Sequence, residues 1–440
     1  MDDIVYHAAF LLLVVGTDAF FGSLSVLNLR HGERAVRERR EWIDERLDVD
    51  DLGELLDYRR TKTGLSVLRS VVGLAVLLLV LYSGLFADAV AAVDGLALGP
   101  TLEGVVLFAG LVVAVRLFGA PFSAVDTFVV EEVYGFNNQS PALWLRDQLI
   151  GTVLGVVLVG AVGGAVLLAV AELPELWWAA AIGLYAVFSL VMQVLLPRVV
   201  MPLFYDFEPI DEGELRDGVE DVFDRAGFSC EQIYEMNASS RSSHSNAFFA
   251  GFGRTKRVVL FDTLIEDMEL PQVQSVLAHE LAHWQKRHIW KRLAAGTVQV
   301  GLTVVALWWL TRQPWLYELF GVADGAALSE VPAAGLIVGG LIVSPLNRLT
   351  SPLSNRLSLK HEREADRFAV EVMGEGESMV GALSRLASEN YSNPFPHPLY
   401  ETFHYDHPPI PERMRYIEAM APEGDTAATE ETGGEGVAGD

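Results

Sequence analysis

The chain has 440 residues, 51% of them hydrophobic, and a mean hydropathy of +0.29, too apolar for an ordinary soluble enzyme. Its 58 acidic against 32 basic residues leave a net charge of −26, which excludes nucleic-acid partners because phosphate contacts need Lys and Arg. The single cysteine, Cys230, excludes intrachain disulfides and thiolate-rich metal sites. So large an acidic excess favours solubility where salt screens self-repulsion, and it points to a halophilic source.

The apolar residues come in blocks. Residues 4–27, 65–93, 102–122, 149–170 and 176–196 approach or exceed the roughly 20 residues with which a helix spans a bilayer. The head of the first block, Met1-Asp2-Asp3, is acidic and its apolar run is long, so the block reads as a retained helix and not a cleavable signal. Nine Arg and Lys residues follow between positions 30 and 62, which places that loop in the cytoplasm and the N-terminus outside. The loops near 97–101 and 171–175 contain no Lys or Arg, as external loops should. Asp18 and Arg116 lie inside the first and third blocks, where charged groups face a bundle interior or snorkel from a helix end.

Five crossings return the chain to the cytoplasmic side near residue 200. Residues 209–227 have helical spacing with many carboxylates. Two strand-prone runs then flank Gly253-Arg254-Thr255-Lys256, the signal of a hairpin. Such a strand either closes a small domain or, beside a hydrolytic centre, binds an extended peptide along its edge.

The next stretch is His279-Glu280-Leu281-Ala282-His283. On a helix the two imidazoles project from one face about one turn apart, a spacing that suits one tetrahedral zinc ion. Glu280 is placed to take a proton from a zinc-bound water. A third His six residues beyond the second is excluded, because position 289 is Ile289. His288 is one residue short of it and is expected to point away. The third ligand must therefore come from elsewhere in the chain.

If block 293–310 crosses outward, only 333–344 can cross back, although its 12 residues fall short of a span and its continuation is interrupted by Pro345, Asn347, Arg348 and Pro352. A segment of that kind survives at membrane depth only against protein or a water-filled cavity. Further along the chain, Glu362 and Asp366 share a helical face. Glu362 can be the third ligand while Asp366 accepts the far N–H of a ligating His. His361 is the competing ligand, and Glu364 reads as solvated charge. His407-Pro408-Pro409 is rigid and extended ahead of a helix beginning at Pro411, so an imidazole held there could donate to a developing oxyanion. A solvated His is the plainer alternative, and His404 is a second candidate for the role. Residues 421–440 read as a disordered acidic tail.

Taken together, five pieces resemble the type I CAAX prenyl protease family: Glu131-Glu132-Val133-Tyr134-Gly135-Phe136-Asn137, Asn246-Ala247-Phe248-Phe249-Ala250-Gly251-Phe252-Gly253, His279-Glu280-Leu281-Ala282-His283-Trp284, Glu362-Arg363-Glu364-Ala365-Asp366, and His404-Tyr405-Asp406-His407-Pro408-Pro409 with Glu412-Arg413. Leu359 departs from the pattern, standing where the family has Arg. The resemblance implies a membrane gluzincin with seven transmembrane helices around a chamber. It also implies one zinc ion on His279, His283 and Glu362, with Glu280 as base, and substrate contacts from Asn246 and His407.

The expected fold is an α-helical integral membrane protein of about seven transmembrane helices with a small cytoplasmic α+β zincin-like domain. Residues 1–200 and 293–352 form the membrane region, 201–292 and 353–420 the zinc-protease region. The expected activity is hydrolysis of peptide or protein substrates, prenylated or otherwise membrane-associated, at the cytoplasmic face of the plasma membrane of a halophilic prokaryote. A heat-shock type membrane protease is disfavoured by the seven blocks. A non-catalytic receptor or scaffold has no use for Glu280.

Overall fold

The computed structural model describes residues 2–47, 49, 51–229, 232–250, 257–322 and 328–420. The expected acidic tail, the centre of the expected hairpin turn and Cys230 lie outside them. Away from water every backbone polar group needs a partner within its own segment, so the apolar blocks become helices. The first five long ones are α1 (Asp2–Glu38), α2 (Leu52–Tyr82), α3 (Pro100–Val125), α4 (Pro141–Glu172) and α5 (Trp177–Leu195).

The chain then leaves the bundle. Strand β1 (Phe207–Pro209), α6 (Glu214–Arg225), β2 (Ile233–Met236), β3 (Ala247–Ala250) and β4 (Arg257–Phe261) follow. The sheet order is β1-β2-β4-β3, with β2 parallel and β3 antiparallel to β4. Ala247 pairs with Leu260 and Phe249 with Val258, which leaves β3 at the edge of the sheet among the described residues.

Helix α7 (Leu270–Gln285) starts at a capping box between Glu269 and Gln272, with proline in its first turn. Its Leu277 and Leu281 are fully buried with Phe223 of α6 and Val258 and Leu260 of β4. Burying each such leucine contributes about 1.5–3 kcal/mol. At Arg287 the backbone turns left-handed (φ 58°), and a new helix, α8 (His288–Leu310), begins at the next residue. Helix α9 (Pro332–Leu349) returns and leads into α10 (Ser351–Met373), α11 (Glu377–Glu389), α12 (Pro398–His404) and α13 (Ile410–Glu418).

Seven helices among the described residues are long and apolar enough to cross a membrane: α1 to α5, α8 and α9. Leu68, Leu79, Val115, Leu117, Val153, Val187 and Leu302 are exposed on them, as a lipid-facing surface requires.

Three expectations change, and the two charged residues inside the blocks take different sides. Block 65–93 is not one helix: α2 stops at Tyr82 and a separate helix, Leu85–Asp94, starts after Gly84, whose φ of 88° other residues adopt only with strain. The return block runs past Ser344 and through Pro345 to Leu349 without interruption. Pro345 is buried in the bundle, and Asn347 donates to Thr303 of α8 at 3.0 Å. Arg116 stays exposed and lies 3.5 Å from the Gly151 carbonyl, whereas Asp18 turns inward and accepts from Ser70 at 2.7 Å. The Arg-rich stretch is largely helical: α1 continues to Glu38 and a further helix covers Arg40–Arg46. Its Val36 and Ile43 are buried with Leu383, Met414 and Ile417, and Arg46 pairs with Glu418. The first connection and the C-terminal helices therefore lie on the same side of the bundle.

Candidate metal centre

Helix α7 brings His279 and His283 to one face, while Leu277, Leu281 and Ala282 turn into the core. Helix α10 lies across it, with Glu362, Ala365, Asp366 and Ala369 on its buried side; the two alanines let the backbones approach closely. Glu362 Oε2 then sits 3.2 Å from His279 Nε2, and Oε1 sits 3.4 Å from His283 Nε2. The two Nε2 atoms are 3.4 Å apart. Glu362 is fully buried, and neither of its oxygens makes a hydrogen bond.

A fully buried carboxylate is strongly unfavourable unless cationic or proton-donating groups meet it, and here only imidazoles surround it among the described residues. Two imidazole nitrogens and one carboxylate oxygen, all within 4.8 Å of one another, are a donor set that suits zinc. The residues present thus fit the metal that the motif implies.

Around them, His279 Nδ1 lies 2.9 Å from Asp366 Oδ1. Arg413 of α13 clamps the same carboxylate with Nε at 3.1 Å and Nη2 at 2.6 Å. Burial alone would raise the Glu362 carboxyl, but the imidazole of His279 and then that of His407 outweigh it and hold it at about 2. Burial, with His279 beside it, pushes His283 down to about 3 and keeps it neutral, the form a metal needs. Burial also raises Glu280 above the ordinary glutamate value, as suits a proton acceptor working near neutral pH.

His407 precedes α13 and reaches the cluster: Nε2 is 3.4 Å from Glu362 Oε2, and Nδ1 is 2.9 Å from Asp406 Oδ1. Its side chain is 54% exposed, so it borders open space as well as the cluster. His404 is elsewhere, stacked on Tyr400 at 3.9 Å. Asn246 is exposed at the head of β3, its Oδ1 accepting the Ala247 N–H at 2.8 Å. The Glu131–Asn137 stretch packs beside this strand's approach: Asn137 bridges to Ser242, and Phe136 stacks on His244 at 4.8 Å.

Two sequence readings need correction, and one alternative drops out. His288 does not point away; its Nδ1 lies 3.2 Å from Nδ1 of His283. The left-handed turn at Arg287 breaks the helix, so projecting one continuous helix past Gln285 fails. Glu364 is not merely solvated, since its Oε2 lies 2.9 Å from His288 Nε2. The competing candidate, His361, lies outside the cluster of His279, His283 and Glu362 and stacks on His288 at 4.0 Å. Sequence reasoning names Arg413 only within the resemblance and gives it no role in the site. The available signal is Asp366 on an apolar helix face, which requires a buried cation somewhere.

A model of peptidase family M48 matches residues 209–421, and a model of the CAAX prenyl protease N-terminal region with five membrane helices matches 34–206. A CAAX prenyl protease 1 homolog of Arabidopsis thaliana is 34% identical over 315 residues, 70% of this chain and 72% of that protein. The chain belongs to the CAAX prenyl protease 1 family. The probable CAAX prenyl protease 1 of Schizosaccharomyces pombe is 32% identical over 85% of this chain and 81% of its own length. The crystal structure of S. mikatae Ste24p superposes with a TM-score of 0.83 at 25% identity, over 94% of this chain and 98% of that one. This family member is an integral-membrane metalloprotease of the CAAX type.

Proposed function

We propose that the chain cleaves peptide bonds near the C-terminus of prenylated, membrane-associated peptides, using one zinc ion held by His279, His283 and Glu362. The observation that carries this is the buried Glu362 carboxylate, facing the imidazole nitrogens of His279 and His283, one and three residues from Glu280. Zinc bound there would polarise the scissile carbonyl and lower the pKa of the attacking water.

The remaining steps belong to the protein. Glu280 takes the water's proton and passes it to the leaving amine. His407, held at Nδ1 by Asp406, offers a ring N–H to the oxyanion. An extended peptide lies along the edge of β3, positioned at its head by Asn246. Backbone pairing tolerates many side chains, so selectivity for a prenyl tail rests with the membrane-side chamber. The Arg-rich first connection shares a side with the centre, which supports a cytoplasmic site and an external N-terminus. The acidic excess supports a salt-rich setting, the plasma membrane of a halophilic prokaryote.

The test compares matched peptides with and without a prenyl group, using the purified chain in liposomes together with metal analysis. Prenylated peptide should be cleaved and its unmodified twin poorly so. Glu280→Gln should retain zinc and lose about 10²–10⁴ in kcat. Glu362→Ala should lose the metal. His407→Ala should lower kcat by about 10²–10³, and Asn246→Ala should mainly raise KM. Equal cleavage of both peptides would remove the prenyl requirement; full zinc in Glu362→Ala would remove that ligand.

A further inference from the structure

One imidazole beside the ligand cluster plays no part in the steps above. His288 is fully buried in the first turn of α8. Its Nδ1 approaches His283 Nδ1 at 3.2 Å, the ring nitrogen turned away from Glu362. On its other side, His288 Nε2 lies 2.9 Å from Glu364 Oε2, on α10. The His283 and His288 rings meet edge to face at 71°, while His361 lies nearly parallel to His288 at 12°.

The proton positions follow from what each atom can do. An ionised carboxylate only accepts, so neutral His288 carries its hydrogen on Nε2 and directs it at Glu364. Its Nδ1 is then a bare lone pair. Two bare nitrogens do not settle 3.2 Å apart, so His283 carries its own hydrogen on Nδ1. That leaves His283 Nε2, the atom facing Glu362, with its lone pair free. We propose that Glu364 and His288 form a relay of hydrogen bonds that locks His283 in the tautomer and ring orientation able to ligate a metal.

This makes His288 a positioning residue, with His361 stacked on its ring to hold the plane. The inference rests on the reading of His279, His283 and Glu362 as ligands. The two histidines of the motif are thus oriented by different means. Asp366 contacts His279 directly from a fully buried position. His283 is reached through an intervening imidazole from a carboxylate at the half-exposed rim, where Lys291 and Lys360 lie 3.7 and 3.8 Å from Glu364. Ligating histidines commonly need such an outer partner, and its loss typically lowers metal affinity by about 10–100-fold.

The test measures zinc affinity of the purified full chain by competition with a chromophoric chelator, and the absorption spectrum of the cobalt-substituted protein. His288→Phe keeps a ring to pack on His361 but removes both nitrogens. His288→Gln loses the stack but presents an amide oxygen to His283 and an N–H to Glu364. The relay predicts that His288→Phe loses about 10–100-fold in affinity with a changed cobalt spectrum, and that His288→Gln stays closer to the unsubstituted protein. The opposite order would mean the ring serves packing alone and would overturn the proposal. Should His288→Phe fail to fold, Glu364→Ala at the rim decides: weakened zinc binding supports the relay and unchanged binding overturns it. A Glu362→Ala control separates the two readings. Full zinc retention there sinks the ligand assignment and the relay with it; zinc loss there beside unchanged affinity in His288→Phe sinks the relay alone.

Discussion

At the scale of single residues, Arg413 and Asp366 hold the centre together. Asp366 is 0% and Arg413 8% exposed, and two parallel N–H···O contacts join them. A buried ion pair adds little over an apolar pair of the same shape, but removing one partner strands the other charge. Arg413→Ala should therefore destabilise the chain by about 3–5 kcal/mol in thermal unfolding in detergent, and should weaken metal retention. Arg413→Lys keeps the charge without the fork and should fall between. Burial alone would raise the Asp366 carboxyl, yet Arg413 and then His279 hold it well below its ordinary value of 3.8. A depressed carboxyl stabilises the fold fully above that ordinary value and loses the contribution as pH falls further. Melting of the metal-free protein should accordingly drop below about pH 4, and Asp366→Asn should flatten that part of the profile. An identical acid profile for both proteins would show that the pair contributes nothing to acid stability.

At the scale of elements, the return helix α9 shows how an unpromising segment becomes a good helix. It is apolar over few residues and carries Pro345, but 44% of its most apolar window is buried, far more than in the other six spans. Close approach makes this possible. A Cβ added at Gly335 would fall 2.5 Å from the Tyr317 hydroxyl and 2.7 Å from its ring. Tyr317 is almost fully buried, and its hydroxyl donates to the Thr311 carbonyl at 2.9 Å, so it has no free space to swing into. Gly335→Ala should destabilise the bundle by about 1–3 kcal/mol through overpacking. Gly340→Ala on the same helix meets nothing within 4 Å and should be neutral. Equal melting of the two variants would show that the contact relaxes without strain.

At the scale of the whole molecule, the two membrane faces are tied by different contacts. On one face the helix Arg40–Arg46 packs on α11 and α13, with Ile43 buried beside Met414 and Ile417. On the other, Arg312 after α8 pairs with Glu175 between α4 and α5. Single cysteines placed at Glu45 or Glu418 in a Cys230→Ser background should react with an impermeant thiol reagent from the same side. A cysteine at Glu175 should react from the opposite side. Labelling of positions 45 and 418 from opposite sides would break the seven-crossing arrangement, since α10 could then not bring Glu362 to α7.

What the chain determines locally is readable without coordinates. Apolar length makes the blocks helices, because a bilayer leaves the backbone no other partner. Four-residue spacing puts His279 and His283 on one face, and the same spacing pairs Glu362 with Asp366. The rest depends on contacts between distant segments or on a single backbone angle. Glu362 meets the imidazoles, and Arg413 meets Asp366, only because α10 and α13 pack against α7. His288 escapes its expected direction because one left-handed residue, Arg287, ends a helix that sequence spacing would continue. The second block breaks at Gly84 for a similar reason, one positive φ among residues apolar enough to carry on. Periodicity records which face a residue occupies within its own element; which element covers that face is settled by packing, and so Glu364, a surface charge by its helical position, becomes the partner of a buried histidine.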